Sequence, residues 1–164
     1  AAPSRCGGAQ GGHRRRAGSI AVTADVHRPV EGILDPSAVI DLGVLDPLSL
    51  PEEPLITAVT MAELSVGPHV ARTESERAAR QALVQQAEAD FDPIPFDGAA
   101  ARAFGVVAAS LRSAGRKPAA RAYDALIAAT ALSRGLPLYT ANQKDFEGIP
   151  GVDVRPVRVE RIEA

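Results

Sequence analysis

The sequence is poor in the residues that staple, stack or span. Its 164 residues include one cysteine (Cys6), one methionine, no tryptophan and six aromatic residues in all. A lone cysteine excludes an internal disulfide framework. With only three scattered histidines (His13, His27 and His69), it also excludes a Cys/His zinc site. No apolar run approaches the roughly 20 residues needed to cross a bilayer. The few Phe and Tyr residues offer no evident platform for stacking bases. A basic surplus is missing too. The net charge of -2 argues, taken alone, against a simple basic nucleic-acid binder.

What is present suits one globular domain. Hydrophobic residues make up 46% and charged residues 23%, a composition able to bury a core at this length. The charge is unevenly spread. Residues 1–31 hold five arginines against Asp25 and Glu31, a net of +3, whereas the remaining 133 residues carry 13 basic and 18 acidic side chains. Residues 1–31 therefore read as a basic extension without apolar period, expected to be disordered. Residues 32–164 read as the folded domain.

Within the domain, strand and helix signals alternate. Gly32, Ile33 and Leu34 predict a strand that ends at Asp35, and Ser37 is placed to N-cap a helix reaching Leu45. A Pro-rich loop over residues 46–54 precedes a second strand at Leu55, Ile56 and Thr57. A helix then runs through Met61, Leu64 and Val66 to Gly67 and Pro68. Thr73 and Glu76 form a capping box for a polar helix to about Asp90, and residues 94–96 read as a short strand. Asp97 opens a helix whose apolar residues keep the i, i+3, i+4 rhythm up to Gly115. A basic turn (Arg112, Arg116, Lys117, Arg121) leads to an almost wholly apolar helix over residues 123–134, closed by Gly135. Strands are expected at residues 136–140 and 152–157. This order favours an α/β sandwich with a mainly parallel central sheet. Its functional crevice should lie beyond the carboxyl ends of the strands.

Four acids stand out by position. Asp35 ends the first strand, Glu63 lies in an apolar helix, Asp124 opens the buried helix, and Asp145 follows the strand ending at Thr140. Each has an ordinary alternative: a turn residue, a solvated face, a helix-dipole acid, a loop acid. Their apolar company weighs against that, because buried acids are costly unless paired. If the four converge, repulsion demands a counter-charge, and the sequence shows no clear set of buried basic partners. A hard divalent cation such as Mg²⁺ suits an oxygen-only site.

These residues carry a resemblance. Leu34-Asp35-Pro36-Ser37, Val59-Thr60-Met61-Ala62-Glu63-Leu64, Tyr123-Asp124-Ala125-Leu126-Ile127-Ala128-Ala129 and Thr140-Ala141-Asn142-Gln143-Lys144-Asp145-Phe146 together resemble the PIN-domain ribonucleases, specifically the VapC toxins of type II toxin–antitoxin pairs. The likeness runs over about residues 32–157, with four blocks in the family's order. It implies a three-layer α/β/α sandwich with an acidic, metal-binding pocket. By the same resemblance Asp35, Glu63, Asp124 and Asp145 are the catalytic, metal-binding acids. Ser37 supports the first acid, and Thr140 and Asn142 border the last. Pro36 departs from the small hydroxyl residue more usual after the first acid, and the basic extension is untypical of these short toxins.

The implied function is Mg²⁺- or Mn²⁺-dependent endonucleolytic hydrolysis of RNA by a cytoplasmic toxin. The implied partners are a VapB-type antitoxin, a second copy in a homodimer, and operator DNA only through the antitoxin. Arg112, Arg116, Lys117 and Arg121 are the residues expected to guide the RNA backbone. Two other readings stand beside it. One is a catalytically silent PIN-like scaffold that binds RNA or a partner. The other is a haloacid-dehalogenase-type phosphatase, which would need a second aspartate where Ser37 stands.

Overall fold

The computed structural model of the protein describes residues 28–116 and 121–159. Residues 1–27 of the basic extension, and Lys117, lie outside the described residues. Four strands form one sheet: β1 (Glu31–Leu34), β2 (Glu53–Leu55), β3 (Leu138–Thr140) and β4 (Val154–Pro156). Their order is β2-β1-β3-β4, and every pairing is parallel. Five α-helices accompany them: α1 (Pro36–Ile40), α2 (Ala58–Val66), α3 (Glu74–Asp90), α4 (Gly98–Ser113) and α5 (Ala122–Arg134).

The strand pleat sends successive side chains to opposite faces, and each face has its own core. Ile33 and Leu138, paired across β1 and β3, face Val107 and Leu111 of α4 and the small residues Ala125, Ala128 and Ala129 of α5. Leu34 and Tyr139, the next pair, face Ala38 and Val39 of α1, Leu64 of α2 and Val84 of α3. Two cores on one sheet are the three-layer α/β/α sandwich the sequence implied. Gly32 is required where it stands: a Cβ there would come within 2.4 Å of the Tyr139 ring.

Several boundaries differ from expectation, each for a local reason. The N-cap of α1 is Asp35, not Ser37. Asp35 accepts from the Ala38 amide at 2.9 Å, and Pro36 occupies the first helical position, where its missing N–H costs nothing. α1 stops at Ile40 and gives way to a 3₁₀ turn at Leu42–Val44, since Gly43 and the following Pro47 disfavour continuation. β2 ends at Leu55 because Thr57 instead caps α2, accepting from the Thr60 amide at 2.9 Å. The short strand expected at residues 94–96 is a single bridge from Thr57 to Ile94; Pro93 and Pro95 flank Ile94 and supply no amide donors. β3 starts at Leu138, as the Leu136 amide turns back to the Ala131 carbonyl in closing α5 around Gly135 (φ +64°).

Candidate active site

The parallel pairing of β1 with β3 brings the ends of both strands together, and the Asp35 amide donates to the Tyr139 carbonyl at 3.0 Å. One residue on, the side chains meet. Asp35 is 5% exposed and is held by three donors. The Thr140 hydroxyl donates to Oδ2 at 2.6 Å, while the Ser37 hydroxyl at 2.7 Å and the Ala38 amide at 2.9 Å donate to Oδ1. Each hydroxyl spends its one proton on Asp35 and accepts from a backbone amide, Ser37 from Ala141 at 3.0 Å and Thr140 from Asn142 at 2.9 Å. The 3.3 Å approach between Ser37 and Thr140 is therefore a packing contact with no proton left to share. Burial pushes the Asp35 carboxyl up from its ordinary value, and these donors hold it partly back.

The other acids face the same place from different elements. Glu63, in α2, has a carboxyl raised by burial and by the charges of Asp124, Asp35 and Asp145. Its Oε2 is buried with no hydrogen-bond partner. Asp124, in the first turn of α5, is raised to about 6 by burial and by the charge of Asp145, against the lowering influence of Arg121. Asp145, in the 3₁₀ turn Gln143–Asp145, accepts from Arg121 Nη1 at 2.7 Å and from Asn142 Nδ2 at 2.5 Å. The four sequence-predicted acids thus act on one another electrostatically, and Ser37, Thr140 and Asn142 hold two of them.

Arg121 was expected on the RNA path; its guanidinium sits on Asp145 and is the basic partner that the sequence did not reveal. The available signal was its position three residues before Asp124. Arg116 also turns toward this loop, donating to the Lys144 carbonyl at 3.1 Å and lying 3.5 Å from Glu147. Arg112 is exposed on the last turn of α4.

Among the described residues, no three His, Cys, Asp or Glu side chains already stand close enough to share one metal ion. The donor set nevertheless fits a hard cation. All donors are oxygens, Glu63 Oε2 is an orphaned buried acceptor, and mutual repulsion raises Glu63 and Asp124. A divalent ion satisfies all three conditions at once.

Comparison with known proteins gives the family and the fold. The PIN domain family model matches residues 38–152, a span that holds Glu63, Asp124 and Asp145 and begins three residues after Asp35. The chain is 37% identical over 135 residues to "Ribonuclease VapC5" of Mycobacterium tuberculosis, covering 80% of this chain and 97% of that protein. It is similar to the crystal structure of a VapBC family member, VapBC-5, from the same organism, with 38% identity and a TM-score of 0.68 over 80% of this chain and all of that one. It shares the fold of a DNA-bound VapBC structure from Salmonella typhimurium, at 24% identity and a TM-score of 0.59, covering 77% of this chain and 98% of that one.

Proposed function

The chain belongs to the PIN-domain family, and from that premise we propose that it is the ribonuclease toxin of a VapBC-type toxin–antitoxin pair, hydrolysing RNA phosphodiester bonds with Mg²⁺ or Mn²⁺. The observation that supports this is that Glu63 feels the charges of Asp124, Asp35 and Asp145 while one of its carboxylate oxygens is buried and unpartnered. When bound, such an ion supplies Lewis-acid activation of the phosphate and a water acidic enough to attack near neutral pH.

The chain's own residues prepare the site. Asp35, Asp124 and Asp145 would be the ligands, direct or through water, and Glu63 would hold a second ion or orient the attacking water. Thr140 and Ser37 lock the Asp35 carboxylate in one orientation. Asn142 and Arg121 do the same for Asp145. Such supporting donors preserve ligand geometry and affinity.

The other partners belong to the same reading: a VapB-type antitoxin placing a basic side chain among the acids, a homodimer, operator DNA contacted through the antitoxin, and a cytoplasmic setting. No helix among the described residues is long and apolar enough to cross a membrane. The phosphatase alternative is disfavoured because its second aspartate is replaced by Ser37, which instead donates to Asp35.

Asp35→Asn or Asp124→Asn should lower Mg²⁺-dependent cleavage of a fluorogenic RNA by at least about 10²-fold, the scale of losing one preorganised electrostatic group. Cleavage at the parent rate would sink the assignment. Thermal unfolding with millimolar Mg²⁺ separates the scaffold reading, which expects no response, from this one, which expects stabilisation by mass action.

A further inference from the structure

A second concave surface lies beside β4, on the sheet face that carries Tyr139 rather than on the α5 side. It is a cleft of about 650 Å³ lined by Arg28, Arg155 and Arg158, with Tyr139 beneath them and Asp46 as the one acid in its lining. Asp46 is already engaged, its Oδ1 accepting from the Leu48 amide at 2.9 Å. Arg155 leans on Asp153, with Nε at 3.0 Å and Nη2 at 2.9 Å from Oδ2. Arg28 donates through Nη2 to the Pro51 carbonyl at 2.8 Å, and its Nε is buried without a partner. The backbone under Arg158 is pinned twice: its amide donates to Ser49 Oγ at 3.1 Å, and its carbonyl accepts from the Asp46 amide at 2.7 Å.

The cleft is therefore a fixed frame with a cationic lining and spare guanidinium donors. Guanidinium forks match the paired oxygens of phosphate. The cleft and the acid pocket lie on opposite faces of the sheet, at the same pair of strands. Tyr139 lies in the cleft and its neighbour Thr140 binds Asp35; Pro156, also in the lining, pairs in register with Thr140. Only an extended polyanion passing round the edge strand β4 reaches both surfaces, which favours a nucleic-acid backbone over a small phosphate. We propose that this arginine cleft binds the phosphodiester backbone of RNA at a position away from the scissile phosphate, an inference that rests on the ribonuclease reading.

The test measures binding of a fluorescently labelled single-stranded RNA by anisotropy, with the full chain in EDTA so that nothing is cleaved. The Arg28→Gln/Arg158→Gln double variant should bind about tenfold more weakly at low salt. Its salt dependence should flatten by about 1.4 in the slope of log affinity against log salt, about 0.7 for each lost single-strand phosphate contact. Arg28→Lys, which retains the charge, should recover part of the loss, and Mg²⁺-dependent cleavage of a dinucleotide should stay at the parent rate. Unchanged affinity and slope in a folded double variant overturn the proposal. So does inorganic phosphate, or an oligoglutamate peptide, binding the parent through these arginines while RNA binding ignores them. A parent chain that binds no RNA overturns the ribonuclease reading together with this one.

Discussion

The two ends of the acid pocket are built on opposite terms. At the Asp35 end a carboxylate that is almost wholly buried has three donors, and both its oxygens are served. At the Glu63–Asp124 end one carboxylate oxygen is buried and unserved, and one acid is raised to about 6. The first end is completed by the fold; the second carries unbalanced negative charge. On the proposed reading, a bound cation would complete the second end, where Glu63 and Asp124 are repelled by their acidic neighbours.

The contrast is broken most severely at its rigid end. Thr140→Val removes the hydroxyl that serves Asp35 and leaves a buried carboxylate oxygen exposed to desolvation. It should cost about 1–3 kcal/mol in urea denaturation and about 10–100-fold in Mg²⁺ affinity, read by metal titration of thermal stability. The open end responds in the other direction. Parent protein in Mg²⁺ at a hundred times its dissociation constant should gain about 2.7 kcal/mol. Glu63→Gln should stabilise the metal-free chain, by removing a repelled buried charge, while shrinking that gain.

Proton uptake sharpens the same comparison. Asp124 keeps its proton in the folded chain up to about pH 6 but loses it near 3.8 when unfolded. Between those values the native state binds more protons, so its contribution to stability falls as pH rises from about 4 to about 6 and is level above. The raised Glu63 and Asp35 carboxyls act in the same sense. A melting-temperature series over this range should show a smaller fall in Asp124→Asn. The smallest effect belongs to Arg121→Gln, whose ion pair with Asp145 is about one-third exposed. It should cost at most about 1 kcal/mol in metal-free protein and less as salt is added.

The acids were legible because each stands where polarity is out of place: at a strand end, in an apolar helix, at the head of a buried one. The alternation of elements was legible for the same periodic reasons, and the two-faced core follows from it. Exact ends were harder, since Asp35, Ser37 and Pro36 compete for one helix start, and Asp35 caps it through the Ala38 amide while its other oxygen is held by Thr140, 105 residues away. Ile94 shows the converse, a strand-like apolar residue silenced by proline on both sides. Arg121 was seen as a cation but not as a partner, because pairing across 24 residues of chain depends on how α5 meets the turn holding Asp145. The arginine cleft was invisible for a stronger reason: Arg28 falls in what reads as the basic extension, Arg155 and Arg158 lie in and after β4, and they share one cleft only through the sheet.

The bond between Asp35 and Thr140 also governs when the pocket can come into being. Its partners are separated by 105 residues, and the strands that carry them are neighbours in the sheet although β2 and all five helices intervene in the chain. Closing so long a loop comes late and slowly in folding. During synthesis, the carboxylate at Asp35 leaves the ribosome long before the hydroxyl that orients it. A growing chain thus has no assembled acid centre until β3 and the turn holding Asp145 have been made, after β2 and helices α1 to α5.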